Sequence, residues 1–137
     1  MNTRTSTLCA GLSLAAVVAL AGCQSAPAEL EVTNAWAKAA ESGMTAVFAD
    51  IENPGSTDIT LVGGTTDVAS VLELHEVADG IMREKQGGIV VPAGETITLT
   101  PGADHIMLMG LNQPLLAGET VSVTIELDDG GELLVEA

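Results

Sequence analysis

The chain has 137 residues, a formal net charge of −15 and two cysteines, and this length is typical of one domain. The acidic excess argues against nucleic acid as a partner, because nucleic-acid-binding proteins carry a basic surface. It also argues against direct adsorption of the domain to anionic lipid. The sequence contains no phosphate-binding loop, HExxH motif or recognisable Ser-His-Asp pattern, and we expect the protein not to be an enzyme.

The first 22 residues have the pattern of an export signal. An apolar run from Leu8 to Ala21 follows one basic residue. The run is short for a membrane-spanning helix, which needs about 20 residues, but typical of a signal peptide. It ends in the letters LAGC, which resemble the lipobox of bacterial lipoproteins, where the cysteine, here Cys23, carries the lipid. An ordinary signal peptide or a membrane anchor is the alternative.

These observations predict a signal peptide at residues 1–22, a lipidated cysteine and flexible tether at 23–30, and a folded domain at 31–137. The protein would then be extracytoplasmic and attached to the cell membrane through its lipid alone. All 19 acidic residues follow Cys23 and only three basic residues oppose them, so the mature chain has a net charge of −16. Its folded domain has no thiol.

The mature region is predicted to consist of seven or eight short β-strands separated by turn residues, with no helix and no repeat. The clearest strand is segment 44–53, in which Val47, Ala49 and Ile51 share one face. The letters DG at 79–80 predict a hairpin turn, and the last strands alternate cleanly. Strands at roughly ten-residue spacing are typical of an all-β sandwich or a small Greek-key barrel.

Two histidines and two methionines are the candidate metal ligands. In an extended segment His105 and Met107 lie on the same face, and His75 and Met82 flank the turn at 79–80. Imidazole suits several transition metals, whereas thioether selects soft Cu(I). The set therefore favours Cu(I), with core packing of the methionines as the alternative. Met44 and Met109 are predicted to be core residues.

The segment HIMLMGL, preceded by PAGETITLTPG, closely resembles the PCuAC family of extracytoplasmic copper chaperones. That family is described by a His, a Met about ten residues later, and a His-x-Met some twenty residues after that. The resemblance assigns His75, Met82, His105 and Met107 as the ligands. Only six residues separate the first two here, which is fewer than in the family pattern and consistent with a shorter hairpin.

The resemblance implies a cupredoxin-like Greek-key β-sandwich and a Cu(I) ion held by two His and two Met. It also implies delivery of copper to the CuA site of cytochrome c oxidase subunit II, alongside Sco-type proteins. A copper-buffering or resistance protein and a metal-free surface β-sandwich module are the alternatives. The acidic neighbours Glu76 and Asp104 are considered as hydrogen-bond acceptors for the imidazoles, although solvated charges are the expected state of such residues.

Overall fold

The computed structural model describes residues 29–137, so the predicted signal peptide, Cys23 and most of the tether lie outside the described residues. These residues form ten strands and no helix, which confirms the all-β prediction and exceeds the predicted strand count. The described residues contain no helix long and apolar enough to cross a membrane. The strands are β1 Glu31–Ala37, β2 Met44–Glu52, β3 Ile59–Thr66, β4 Ala69–Ala78, β5 Ile81–Glu84, β6 Ile89–Val91, β7 Thr96–Leu99, β8 His105–Leu111, β9 Ser122–Leu127 and β10 Glu132–Glu136.

The strands form two antiparallel sheets, as in the sandwich that the sequence predicts. The first sheet has the order β1-β2-β8-β4-β5, and β7 continues along the same edge of β2 after β8. The second sheet has the order β10-β9-β3-β6. In the first sheet β8 lies between β2 and β4, although about thirty residues separate β8 from β4 in sequence.

The hydrophobic core lies between the sheets and is built of aliphatic side chains. On β2 the residues Val47, Ala49 and Ile51, which the sequence places on one face, point inward and are almost fully buried. Leu30, the last residue assigned to the tether, also packs into this core. The second sheet contributes Ile59, Leu61, Ile89, Val91, Val123, Ile125, Leu133 and Val135.

Two turns determine where the candidate ligands lie. Asp79 and Gly80 both have positive φ and connect β4 to β5 through two residues, so the predicted hairpin is confirmed. Gly88 also has positive φ, and a Cβ atom there would lie 2.1 Å from the Leu61 carbonyl oxygen. Glycine is therefore required where the chain passes from β5 in the first sheet to β6 in the second.

Candidate metal centre

The candidate ligands lie on the outer face of the first sheet, opposite the core. His75 on β4 and His105 on β8 are cross-strand partners, so their side chains point to the same face. Their neighbours Leu74 and Ile106 point inward and belong to the core. The ring centroids of the two histidines are 5.7 Å apart. The fold thus brings together two imidazoles that are thirty residues apart in sequence.

His105 is only 2% exposed, and one of its ring nitrogens has a fixed role. Nδ1 lies 2.8 Å from the carbonyl oxygen of Ala103, and because a carbonyl can only accept, Nδ1 must carry the proton. In the neutral ring the lone pair is then on Nε2. That atom is buried and has no hydrogen-bond partner within residues 29–137.

His75 is 9% exposed and shows the same arrangement with its nitrogens exchanged. Nε2 lies 2.9 Å from a carboxylate oxygen of Glu73 and donates to it, which leaves the lone pair of the neutral ring on Nδ1. Nδ1 is also buried without a partner among the described residues. A buried polar atom without a hydrogen bond costs about 1–3 kcal/mol, so two of them side by side indicate a site prepared for a ligand.

Glu73 is a residue that the sequence analysis missed. The two-residue period of a strand could have identified Glu73, because residues 73 and 75 of β4 share one face. By contrast, the two acidic neighbours considered from the sequence do not contact the imidazoles. Glu76 pairs with Arg83 at 2.9 Å, and Asp104 pairs with Lys85 at 2.7 Å.

These ion pairs connect the hairpin to β8. Lys85 follows β5 and lies between Asp104, directly before β8, and Glu76 on β4, at 2.7 and 3.7 Å. The hydrogen bond from Arg83 holds the pKa of the Glu76 carboxyl below its ordinary value. The hairpin that carries Met82 is thereby attached to the start of the strand that carries His105.

Met107 and Met82 lie on the same outer face as the imidazoles. Met107 is two residues beyond His105 on β8 and is buried. Met82 is the cross-strand partner of Val77, which makes it a diagonal neighbour of His75, and it is 52% exposed. Diagonal neighbours are about 7–8 Å apart, within reach of a long side chain. The short hairpin therefore keeps Met82 on the face where the family pattern needs it.

A groove of about 540 Å³ runs over this face and joins the donors to an aromatic wall. Met82, His105 and Met107 line one part of it, and Trp36 and Phe48 line another. The Phe48 ring centroid lies 6.0 Å from that of His105 and 4.5 Å from that of Trp36. The Phe48 ring therefore packs beside the His105 imidazole, and Trp36 packs against Phe48.

Met44 and Met109 were predicted to be core residues, and this prediction is wrong. They are cross-strand partners on β2 and β8 and lie on the outer face with Met107. Met44 is 59% exposed and lines the groove, whereas Met109 is partly buried and outside the core cluster. The sequence could not assign the face of Met109 because β8, HIMLMGL, is apolar on both faces. Met44 is on β2, on the face that also carries the apolar residues Ala46 and Phe48.

The donor set is soft and uncharged. Within residues 29–137 no group of three or more His, Cys, Asp or Glu side chains is placed to hold a metal ion. The face instead offers two imidazole lone pairs and the thioethers of Met82 and Met107. Imidazole and thioether together suit Cu(I), and neither ligand has to lose a proton at neutral pH to bind it.

Residues 30–137 match a protein family described as "Putative lipoprotein LpqE-like". A curated relative, "Putative lipoprotein Lxx21020" of Leifsonia xyli subsp. xyli, is 49% identical over 105 residues. The alignment covers 74% of this chain and 63% of that protein, so the chain spans less than two thirds of the relative's length.

Solved structures share the fold. The Cu(I) form of DR1885 from Deinococcus radiodurans is 34% identical, with a TM-score of 0.62 over 85% of this chain and 80% of that one. The apo PCuAC domain of PmoF1 is 23% identical, with a TM-score of 0.70 over 79% of this chain and 90% of that one. The copper-bound PCuAC domain of PmoF2 is 17% identical, with a TM-score of 0.68 over 82% and 93%. The last two structures support the fold alone.

Proposed function

We propose that this chain, which belongs to the LpqE-like family and has the cupredoxin-like fold of PCuAC domains, is an extracytoplasmic Cu(I) chaperone. The family resemblance inferred from the sequence is confirmed by these matches. One observation carries the proposal: His75 Nδ1 and His105 Nε2 are buried lone-pair donors that have no hydrogen-bond partner within residues 29–137, and they lie on one face of one sheet. The likeness to the Cu(I) form of DR1885, at 34% identity, supports the choice of metal.

In the proposed site Cu(I) is the cargo, and His75, His105, Met82 and Met107 are its ligands. Glu73 and the Ala103 carbonyl hold the two rings with one lone pair free on each. Met82 is half exposed, so it is the ligand that an acceptor's side chain could displace first. Stepwise exchange of neutral ligands moves the ion without bond-making chemistry, and for this reason the proposed role is not enzymatic.

Lipid attachment at Cys23 would hold the domain at the outer side of the cell membrane, and the family's description as lipoproteins supports this location. We propose the CuA site of cytochrome c oxidase subunit II as the acceptor, with a Sco-type protein as a second partner of the same pathway. The strongly acidic surface of the domain would steer it toward a partner with a basic rim around its own site.

The test is Cu(I) titration of residues 24–137 under anaerobic, reducing conditions against a chromophoric chelator. We expect the wild type to bind one equivalent of Cu(I) tightly. The Cu(I) affinity of Met82→Leu and of Met107→Leu should be lower by at least roughly 10- to 100-fold, the loss that follows removal of a group that only supports a metal ligand. Leu134→Ala, a change at an exposed side chain of the second sheet, is the control and should bind as the wild type does. No competitive binding by the wild type would refute the copper proposal.

Delivery is tested separately by mixing the loaded domain with an apo CuA domain and following the CuA absorption after oxidation. Transfer faster than release to buffer supports the chaperone role. Tight binding without transfer would instead favour copper buffering.

A further inference from the structure

All four methionines of residues 29–137 lie on the outer face of the first sheet, and none belongs to the core cluster between the sheets. Methionine is ordinarily a core residue, so this concentration on one face is unexpected. Met82 and Met107 belong to the proposed site. Met44 and Met109 do not, and the site as proposed gives them no role.

Met44 and Met109 form a pair. They are directly opposite each other on β2 and β8, which places their Cβ atoms about 4.5–5.5 Å apart. Met109 is two residues from Met107 along the same face of β8, a separation of about 6.7 Å. The thioethers of Met107 and Met109 therefore follow His105 along β8, and that of Met44 lies next to them on β2.

The groove connects Met44 to the histidine site, and Met109 lies opposite Met44 on β8. Met44 lines the same groove as His105 and Met107. Ala46, the cross-strand partner of Met107, has only a methyl group and leaves the groove open between the two positions. Met44 is also the more exposed member of the pair, so the row of sulfur atoms formed by Met107, Met109 and Met44 ends at the protein surface.

We propose that Met44 and Met109 form a second, weaker Cu(I) site through which the ion enters and leaves, with Met107 as the ligand common to both sites. The proposal rests on the proposed function of the histidine site. In the transfer step Cu–S bonds to Met109 and Met44 form as the Cu–N bonds to the two histidines and the Cu–S bond to Met82 break, while the Cu–S bond to Met107 is kept. The metal remains Cu(I), and neither a proton nor an electron is transferred.

Two features make the second site weak enough for transit. It has only thioether ligands, which are neutral and poorer donors than imidazole. Lys38 lines the same groove, and its positive charge opposes that of the ion. By contrast, the carboxylate of Glu73 contacts His75, so its negative charge favours the cation at the histidine site.

The test uses the chain from residue 24 onward, which contains both sheets and the core cluster, with ¹³C-labelled methionine methyl groups. Cu(I) is diamagnetic, so each methyl signal reports its own sulfur. We expect the Met82 and Met107 methyls to shift with the first equivalent of Cu(I), and the Met44 and Met109 methyls to shift with a weaker second equivalent. If the last two signals stay unchanged throughout the titration, the proposal is overturned.

The matched variant is Met44→Leu/Met109→Leu, which keeps the apolar surface and removes the sulfurs. This variant should bind the first equivalent of Cu(I) as the wild type does and should not bind the second. Its release of Cu(I) to a chelator, measured by stopped flow, should be about tenfold slower, which is the low end of the effects of groups near a metal site. Val71→Leu, at the cross-strand partner of Met109 on β4, is the control for a change of shape and should behave as the wild type. Lys38→Gln should tighten the second equivalent.

The two proposals fail in different ways. A wild type without a tight first equivalent overturns the proposed function and this inference with it. A tight first equivalent, combined with equal release rates and equal second equivalents in wild type and double variant, overturns only the second site.

Discussion

Replacing His105 by leucine is expected to stabilise the metal-free protein and to abolish its response to copper. The wild type buries Nε2 without a hydrogen-bond partner in the part of the chain that the structure describes, at a cost of about 1–3 kcal/mol. Leucine removes that cost and also loses the hydrogen bond from Nδ1 to Ala103, which contributes about 0.5–1.5 kcal/mol. Since leucine has a similar volume and Phe48 beside it to pack against, we expect a net gain of about 1 kcal/mol in the free energy of unfolding.

The assay is urea unfolding of residues 24–137 with a chelator present, and then with Cu(I). Copper at 100 times its Kd should stabilise the wild type by about 2.7 kcal/mol and the variant not at all. Ile106→Val is the control: the adjacent side chain points into the core, and its truncation should destabilise by about 0.5–1.5 kcal/mol in either condition.

A metal-free His105→Leu protein less stable than wild type by more than about 1 kcal/mol would refute the reasoning. The imidazole would then be a structural group whose second nitrogen is satisfied, for example by an ordered water. If the site instead serves function at the expense of stability, the substitution should increase the free energy of unfolding of the metal-free protein, because the polar atoms of the site are paired only when the ion is bound.

Three further outcomes are expected. Glu73→Ala should weaken Cu(I) binding by about 10- to 100-fold, because the imidazole it holds loses its orientation, while Glu73→Gln, which can still accept a hydrogen bond, should lose less in the same chelator competition. Lys85→Met removes the part-exposed ion pair with Asp104 and should lower Cu(I) affinity only a few-fold, consistent with about 0.2–1 kcal/mol for such pairs. The Asn34 amide holds the pKa of the Asp50 carboxyl below its ordinary value, so this contact stabilises the fold above the unfolded-state pKa and loses that effect as pH falls through the folded-state pKa. Asn34→Gly, which tolerates the positive φ at this position, should therefore raise the Asp50 pKa in an NMR titration and reduce the urea midpoint at neutral pH but not in strong acid.

The sequence was sufficient for the all-β class and for the grouping of the β2 residues into two faces. Val47, Ala49 and Ile51 were predicted to share one face because side chains alternate along a strand, and the structure identifies that face as the inward one. The Asp79-Gly80 turn was predictable for a similar reason, since both residues tolerate the positive φ that a two-residue hairpin requires. These features depend on the conformational preferences of neighbouring residues, and a single sequence is enough to show those preferences.

Strand pairing was not predictable in the same way. Nothing local indicates that β8 lies between β2 and β4, so the contact between His75 and His105 could be proposed only through the family resemblance. β8 is apolar on both faces because one face meets the core and the other carries the donors. A pattern with no polar face cannot indicate which side is outside, and this is why Met109 was misassigned. Met44 lies on β2, where it shares a face with the apolar residues Ala46 and Phe48, and this neighbourhood explains its assignment to the core.

Placing the donors on the outer face of a sandwich sheet lets affinity and exchange be determined separately. The inward neighbours, Leu74 and Ile106, fix the backbone of both strands, so the imidazoles are held rigidly without being part of the core. Two of their nitrogens have no hydrogen-bond partner among the described residues, which raises the free energy of the metal-free state by about 1–3 kcal/mol each. Binding of an ion removes that cost and so adds to affinity. Exchange depends instead on the methionines, which become more exposed from Met107 to Met44. If this division is correct, histidine variants should change mainly the equilibrium constant, and Met44 variants should change mainly the rate of release.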